Sequence, residues 1–250
     1  KELDPRAGYS AEFTESIWKD NVRSIAERGI RIVASAGGLN LERCGERMEQ
    51  LARDAGVALK IALVEGDDLM ALVGTADWDR LTDMFDGSRL PRAGQVTSVN
   101  AYLGGRAVAE ALARGAQVVV TGRVADSALA LGILMHEFGW TEADHDLLAA
   151  GSIAGHIIEC GPQATGGVFT DWEDVPDWAN IGYPIVECSP DGTFFVTKPA
   201  GSGGICSIGT VSEQLLYEIG DPGRYILPDV ICDVRNVRLT QAAEDRVQVS

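Results

Sequence analysis

A chain of 250 residues, 46% apolar and 23% charged, has enough apolar side chains to pack a core, which excludes intrinsic disorder for most of its length. Its 21 Lys and Arg against 37 Asp and Glu leave a formal net charge of −16. That balance argues against nucleic acid or an anionic membrane as partner, since both demand local positive potential, but a small anionic ligand needs only a few amides and one or two cations.

In chain order, Trp18, Val22, Ile25 and Ala26 follow helical spacing with one buried face, and Gly29 marks where the chain leaves that helix. IRIVAS (30–35) reads as a short buried strand. Asn40 is placed to cap the next helix, whose stripe runs through Cys44, Met48, Leu51, Ala52 and Ala55 to Gly56. ALKIALV (58–64) is the second strand, 107–112 a helix closed by Gly115, and AQVVVT (116–121) the third strand. Leu131, Leu134, Met135 and Phe138 form a further helical stripe ending at Gly139. Strands separated by helices predict parallel pairing, hence an α/β fold with a doubly wound, mostly parallel, Rossmann-like sheet.

Beyond residue 140 the pattern changes. Thr141 followed by Asp144 resembles a capping box, with a Gly-containing helix running to about Cys160 before Gly161-Pro162 stops it. Residues 164–199 are rich in Gly, Pro, Trp and Asp, with GTFFVTK (192–198) alternating as a strand does. A helix at about 211–219 and a strand at DVICDV (229–234) follow. The domain expectation is therefore a sheet domain over 1–163 and a smaller α+β portion over 164–250 packed on it.

Five cysteines, Cys44, Cys160, Cys188, Cys206 and Cys232, form no C-x-x-C pair and are odd in number, which points to reduced thiols and a cytoplasmic protein. No run approaches the roughly 18 apolar residues of a membrane helix. The start, KELDPRAGYS, lacks a signal-peptide pattern and an initiator Met, and the end falls inside a strand-like pattern. A trimmed chain lacking the first strand of its sheet is the expectation.

In a doubly wound sheet, ligands bind beyond the carboxyl ends of the strands. The loops there are SAGGLN (Ser35, Gly37, Gly38, Asn40), EGDD (Glu65, Asp67, Asp68) and TGRVADS (Thr121, Gly122, Arg123, Asp126, Ser127). SAGGLN either surrounds an anion with amides or is a tight turn with Asn40 as cap. In TGRVADS, Arg123 and Asp126 suit a clamp on an anionic group beside a general base, or a group orienting one; the alternative is that Asp126 or Ser127 caps the helix and Arg123 pairs with an acid. Lys198 with the turn Gly201, Ser202, Gly203, Gly204 is a second anion candidate, or a plain hairpin or crossover turn, and the TGG at 165–167 reads as a turn. No G-x-G-x-x-G, GxxxxGK[ST] or G-x-S-x-G occurs, so dinucleotide, nucleotide-triphosphate and triad-hydrolase chemistry are not indicated.

His136 and His145 read as surface or cap residues. His156, Glu159 and Cys160 hint at ligands, but no second cluster joins them, so no metal is expected. Cys44 reads as core, and Trp78, Trp140, Trp172 and Trp178 as packing at helix ends or in the smaller portion.

The stretches IRIVASAGGLN (30–40), VNAYLGGRAVAEALARGAQVVVTGRVADSAL (99–129), ECGPQATGG (159–167) and KPAGSGGICSIGTVSEQLLYEIGDPGRYILPDV (198–230) resemble the N-terminal domain of the acyclic terpene utilisation protein AtuA family. The resemblance covers the whole chain, as an interior piece of such a protein. It implies a first strand with a Gly-rich loop upstream of Lys1, and a catabolic pathway that runs through acyl-CoA thioesters. Ser35, Gly37, Gly38, Asn40, Arg123 and Asp126 carry over as family motif positions only. The functional expectation is an enzyme of hydratase or lyase type acting on an acyl-CoA or other carboxylated intermediate of terpene or branched-chain breakdown. The rival is a non-catalytic acyl-CoA-binding or assembly subunit of a carboxylase pathway. No cofactor is expected beyond coenzyme A as part of the substrate, and a homo-oligomer is expected on general grounds.

Overall fold

The computed structural model describes residues 7–250. A π-helical turn, Phe13–Trp18, runs into α1 (Lys19–Arg28). There follow β1 (Ile32–Ala34), α2 (Leu41–Asp54), β2 (Ile61–Val64), α3 (Arg106–Ala113), β3 (Val118–Thr121), α4 (Ala128–Phe138) and α5 (His145–Glu159). The chain continues with β4 (Ile185–Cys188), β5 (Phe194–Thr197), α6 (Ile208–Leu216), β6 (Tyr225–Ile226), β7 (Ile231–Cys232), β8 (Leu239–Ala243) and β9 (Arg246–Val249). Two compact units form: residues up to Leu103 with Gly115–Val124, and Gly104–Arg114 with Ala125–Ser250. Residues 1–6 of the expected first domain lie outside the described residues.

The first unit holds a parallel sheet in the order β1-β3-β2, with Val118 opposite both Ile32 and Ile61. Central β3 has Val118, Val119 and Val120 fully buried, as an apolar run in a parallel strand requires. One face packs on Trp18, Val22 and Ile25 near and within α1 and on Cys44, Met48, Leu51 and Ala52 of α2. Trp18 Nε1 donates to the Met48 carbonyl at 3.0 Å, so the indole is buried with its polar atom satisfied. β1 is half-buried rather than buried, because it pairs along one side only, with β3. Between β2 and α3 the chain makes short 3₁₀ turns around Trp78, whose Nε1 donates to the Pro91 carbonyl at 3.0 Å.

The second unit packs α4, α5 and α6 on an antiparallel sheet in the order β4-β5-β9-β8. Leu131, Leu148 and Ile157 share its core with Phe194, Val196 and Val247, so that core draws on both sides of residue 163. Gly155 lets α5 reach the start of α4, where a Cβ would stand 2.4 Å from the Ser127 carbonyl oxygen.

Three boundaries differ from expectation. α6 starts at Ile208, not near 211, because Ser207 and Thr210 form a reciprocal capping pair at 3.2 and 3.0 Å. Thr141 is not a helix cap: its N–H and hydroxyl both donate to Asp144 Oδ2 at 2.7 Å, and α5 begins only at His145. The strand expected over 229–234 is just Ile231–Cys232, paired with Tyr225–Ile226. Trp140 is buried, whereas Trp172 and Trp178 are exposed. The fold is thus mixed α/β, with one small parallel sheet and separate antiparallel sheets. Among the described residues, no helix is long and apolar enough to cross a membrane.

Candidate functional site

The first unit brings two of the expected loops together at the carboxyl ends of its strands. Gly37 N–H donates to the Thr121 carbonyl at 3.0 Å, and a Cβ on Gly37 would stand 2.6 Å from that oxygen, so only glycine fits this approach. Leu39 N–H donates to the Gly8 carbonyl and Asn40 N–H to the Gly37 carbonyl. The turn therefore uses the amides of Gly37, Leu39 and Asn40 within the fold instead of presenting them to an anion. Asn40 stands at the N-cap position of α2, yet its side chain makes no cap bond; Nδ2 donates to the Ala7 carbonyl at 2.7 Å. Ser35 is half-buried just beyond β1, and Gly38 has φ +52°.

Asp67 organises the other side of this rim. It is buried, and its Oδ2 accepts from Asn100 Nδ2 at 2.8 Å and from Arg123 N–H at 3.0 Å. A Cβ on Gly122 would lie 2.3 Å from Asp67 Oδ1, so glycine is what lets the β3 loop reach the carboxylate. Thr121 is buried, with its hydroxyl on the Gly122 carbonyl at 3.1 Å. The Arg123 guanidinium donates to the Tyr102 hydroxyl and lies over that ring, Cζ 4.7 Å from the centroid. The cation is thus pre-placed by an aromatic face. A cavity of about 240 Å³ on the Asp67 side of the rim is lined by residues that include Asn40, Asn100 and four carboxylates, Glu42, Glu65, Asp67 and Asp68.

Asp126 and Ser127 belong to the second unit. Asp126 is exposed ahead of α4; Ser127 is buried at the N-cap position and makes no side-chain cap bond. Lys198 and the GSGG turn make a separate cluster. Lys198 Nζ lies 3.0 Å from Asp245 Oδ2 and donates to the Ser202 carbonyl at 2.8 Å. Ser202, Gly203 and Gly204 donate their N–H groups to the carbonyls of Pro199, Asn180 and Pro176. Those three amides turn inward, so they form no nest; Gly201 takes φ +75° at the corner.

His156 is 1% exposed, and its Nδ1 lies 2.8 Å from Glu159 Oε1. Its ring centroid is 5.5 Å from that of Tyr225. Burial first, then the carboxylates of Glu159, Asp126 and Glu218, push the Tyr225 phenol up to about 12. Among the described residues, no three His, Cys, Asp or Glu side chains converge as a metal site would require. The thiols are poor nucleophiles: burial raises Cys44, Cys188 and Cys232 to about 11 and, with the Asp245 charge, Cys206 to about 12. Elsewhere in the second unit, a largely apolar cavity of about 500 Å³ is lined by Ile153, Phe194, Val230 and Val237, with His145, Asp146 and Asp233 supplying polar groups.

The model of the acyclic terpene utilisation family protein AtuA matches residues 1–250, the entire sequence. The chain belongs to the AtuA family. No curated protein and no solved structure matches it. For this AtuA chain, the residues that build the rim include Asp67, which pattern reading places at the rim without a specific role, and Asn100 and Tyr102, which it does not place there. Asp67 has a signal, an acid directly after a strand that ends in the sheet. Asn100 and Tyr102 have none, because they follow a long stretch without strand or α-helix and reach the rim only through tertiary folding.

Proposed function

We propose that this AtuA chain is an enzyme of acyclic terpene or branched-chain breakdown that acts on an acyl-CoA thioester or other carboxylated intermediate. The observation that carries the reading is Arg123, whose guanidinium is set against Tyr102 while its main chain is fastened to buried Asp67. A cation ordered before the ligand arrives binds a carboxylate or phosphate without ordering cost. Asp126, three residues on, supplies a carboxylate for general-base work or for orienting a base. Hydration, dehydration or C–C lyase chemistry suits such a pair.

Ser35, Gly37, Gly38, Asn40, Thr121 and Gly122 shape the first unit's rim through main-chain geometry, and Ser127 stands at the start of α4 in the second unit. Coenzyme A enters as part of the substrate, and no other cofactor is invoked. We also read the three-stranded parallel sheet as part of a larger doubly wound sheet, the assembly as a homo-oligomer and the compartment as the cytoplasm. A second reading is an acyl-CoA-binding or assembly subunit of a carboxylase pathway without turnover; the assembly form is favoured by the four carboxylates of the 240 Å³ cavity, which oppose a polyanion there. Calorimetric titration of the intact protein with branched acyl-CoAs and their free acids, followed by mass spectrometry of the mixtures, separates the two. Product formation supports the enzyme; binding with no product under any condition replaces it with the subunit.

A further inference from the structure

The end of α5 carries a group that neither the rim nor the family accounts for. His156 is almost fully buried, and its Nδ1 faces the Glu159 carboxylate at 2.8 Å. A carboxylate only accepts, so Nδ1 carries the hydrogen and, in the neutral ring, Nε2 carries the lone pair. Nε2 is buried and has no hydrogen-bond partner, and the same is true of Ser152 Oγ one turn earlier on α5 and of Gln214 Oε1 on α6. Gln214 Nε2 is fastened to the His156 carbonyl at 2.9 Å, which ties these polar atoms to one stretch of the helix pair. Buried polar atoms are nearly always satisfied, so several together mark a place that meets a polar ligand.

The surroundings define that ligand. The Tyr225 ring lies tilted at 59° to the imidazole, and its raised phenol keeps its proton and so has one to donate. Glu159, Asp126 and Glu218 all bear on Tyr225 and on Cys160, so a substrate that arrives with its own negative charge is disfavoured against a neutral carbonyl compound, and the negative oxygen that forms from it needs the Tyr225 hydrogen bond. Asp126 and Glu218 are exposed while His156 is buried, so the cluster grades from solvent into the unit. Glu218 takes φ +59°, a conformation that costs a non-glycine residue energy and is concentrated at functional sites.

We infer that His156 is a carbon-acid base held by Glu159, acting on an acyl carbonyl compound whose oxygen Tyr225 hydrogen-bonds. Nε2 takes the proton from the carbon next to the carbonyl; the C–H bond breaks, N–H forms, and the electron pair moves onto the carbonyl oxygen as an enolate. Return of that proton closes the cycle with no other reactant. In a hydration or dehydration, Asp126 then serves the proton on water or hydroxyl, and His156 the one on carbon. The acyl thioester class rests on the function proposed above, but the base itself does not.

The test uses the neutral thioester S-isovaleryl-N-acetylcysteamine, which offers no anion for Arg123, incubated with the intact protein in D₂O and followed by NMR. Wild type exchanges the α-hydrogens; His156→Gln lowers the rate at least about 100-fold, and Tyr225→Phe lowers it about tenfold or more. Glu159 is a positioning residue, so Glu159→Gln lowers kcat with KM unchanged, and Glu159→Asp recovers part of it. Absence of exchange by wild type, or exchange retained by His156→Gln, overturns the inference. Should His156→Gln not fold, ¹⁵N-histidine spectra of wild type decide: the His156 Nε2 resonance shifts when the thioester is added, and no shift overturns it. Loss of exchange with acyl-CoA binding intact sinks this base alone, whereas exchange without acyl-CoA binding upholds it and sinks the clamp.

Discussion

Asp67, just past β2, accepts the main-chain N–H of Arg123, just past β3, at 3.0 Å. The same oxygen accepts Asn100 Nδ2, so one buried carboxylate fixes the rim segments around residues 67, 100 and 123. Asp67→Ala removes two charge-assisted bonds but also the cost of burying a charge, and the net loss of stability is about 2 kcal/mol. Asp67→Asn keeps an acceptor oxygen and loses about half as much. Urea titrations of both variants check the order; equal midpoints for Asp67→Ala and wild type would show the carboxylate to be structurally idle.

A second outcome concerns the GSGG turn. Gly203 lies so close to Asp177 that a Cβ would stand 2.0 Å from its carbonyl oxygen, and Gly203 N–H donates to the Asn180 carbonyl. Gly203→Ala must push main chain against main chain, at a cost of about 1–3 kcal/mol. A Cβ on Gly94 would meet no atom within 4 Å, so that position accepts Ala within about 0.5 kcal/mol. Thermal melts of the two variants give the contrast, and similar melting temperatures would contradict it.

Local pattern reveals much of this chain, and tertiary placement reveals the rest. The stripe Cys44, Met48, Leu51, Ala52 is buried as its spacing requires, and Gly29, Gly115 and Gly139 all take positive φ where helices end. Amide use is not readable from pattern. SAGGLN and GSGG look alike as free anion turns, yet each spends two N–H groups on carbonyls distant in sequence, those of Gly37 and Leu39 on Thr121 and Gly8, and those of Gly203 and Gly204 on Asn180 and Pro176. The end of the chain reads as strand-like, but its division into β8 and β9 is not legible, because both are short and β8 is exposed along most of its length, which weakens the alternation that marks a strand. His156 and Glu159 stand out by spacing alone, but the distinction between metal ligand and hydrogen-bonded pair lies in a 2.8 Å distance and in burial.

Alkaline pH weakens the fold. Burial raises Cys44, Cys188 and Cys232 to about 11, against about 8.5 for a thiol in an unfolded chain. The neutral form is the one the core tolerates, so the unfolded chain gives up protons first as pH rises. Stability from this source is complete below the unfolded value and falls as pH climbs through the window up to the folded one. Melting temperature at pH 10 therefore lies several degrees below that at pH 7.5, and Cys188→Ala, at a half-buried position, reduces the difference. A melting temperature constant from pH 7.5 to 10 would refute the thiol contribution.

Arg123 and Asp126 separate binding from proton transfer. Arg123→Ala removes the guanidinium that Tyr102 holds, and it weakens an anionic ligand by about 1.5–3 kcal/mol, the worth of a charge-assisted bond. The stacking on Tyr102 is half-exposed, so its loss costs the fold under about 1 kcal/mol. Tyr102→Phe keeps the aromatic face and deletes only the hydroxyl, so the cation stays near its place and binding falls by less than for Arg123→Ala. Asp126→Asn leaves stability nearly unchanged because the side chain is exposed, while a carboxylate that handles a proton is lost and turnover drops about 10²–10⁴-fold. Calorimetry for affinity, urea midpoints for stability and mass spectrometry for product read the three quantities on each variant. If Arg123→Ala unfolds the protein, the residue belongs to the scaffold. If Asp126→Asn turns over at the wild-type rate, the proton chemistry does not pass through Asp126, and His156 is left as the base of the second unit.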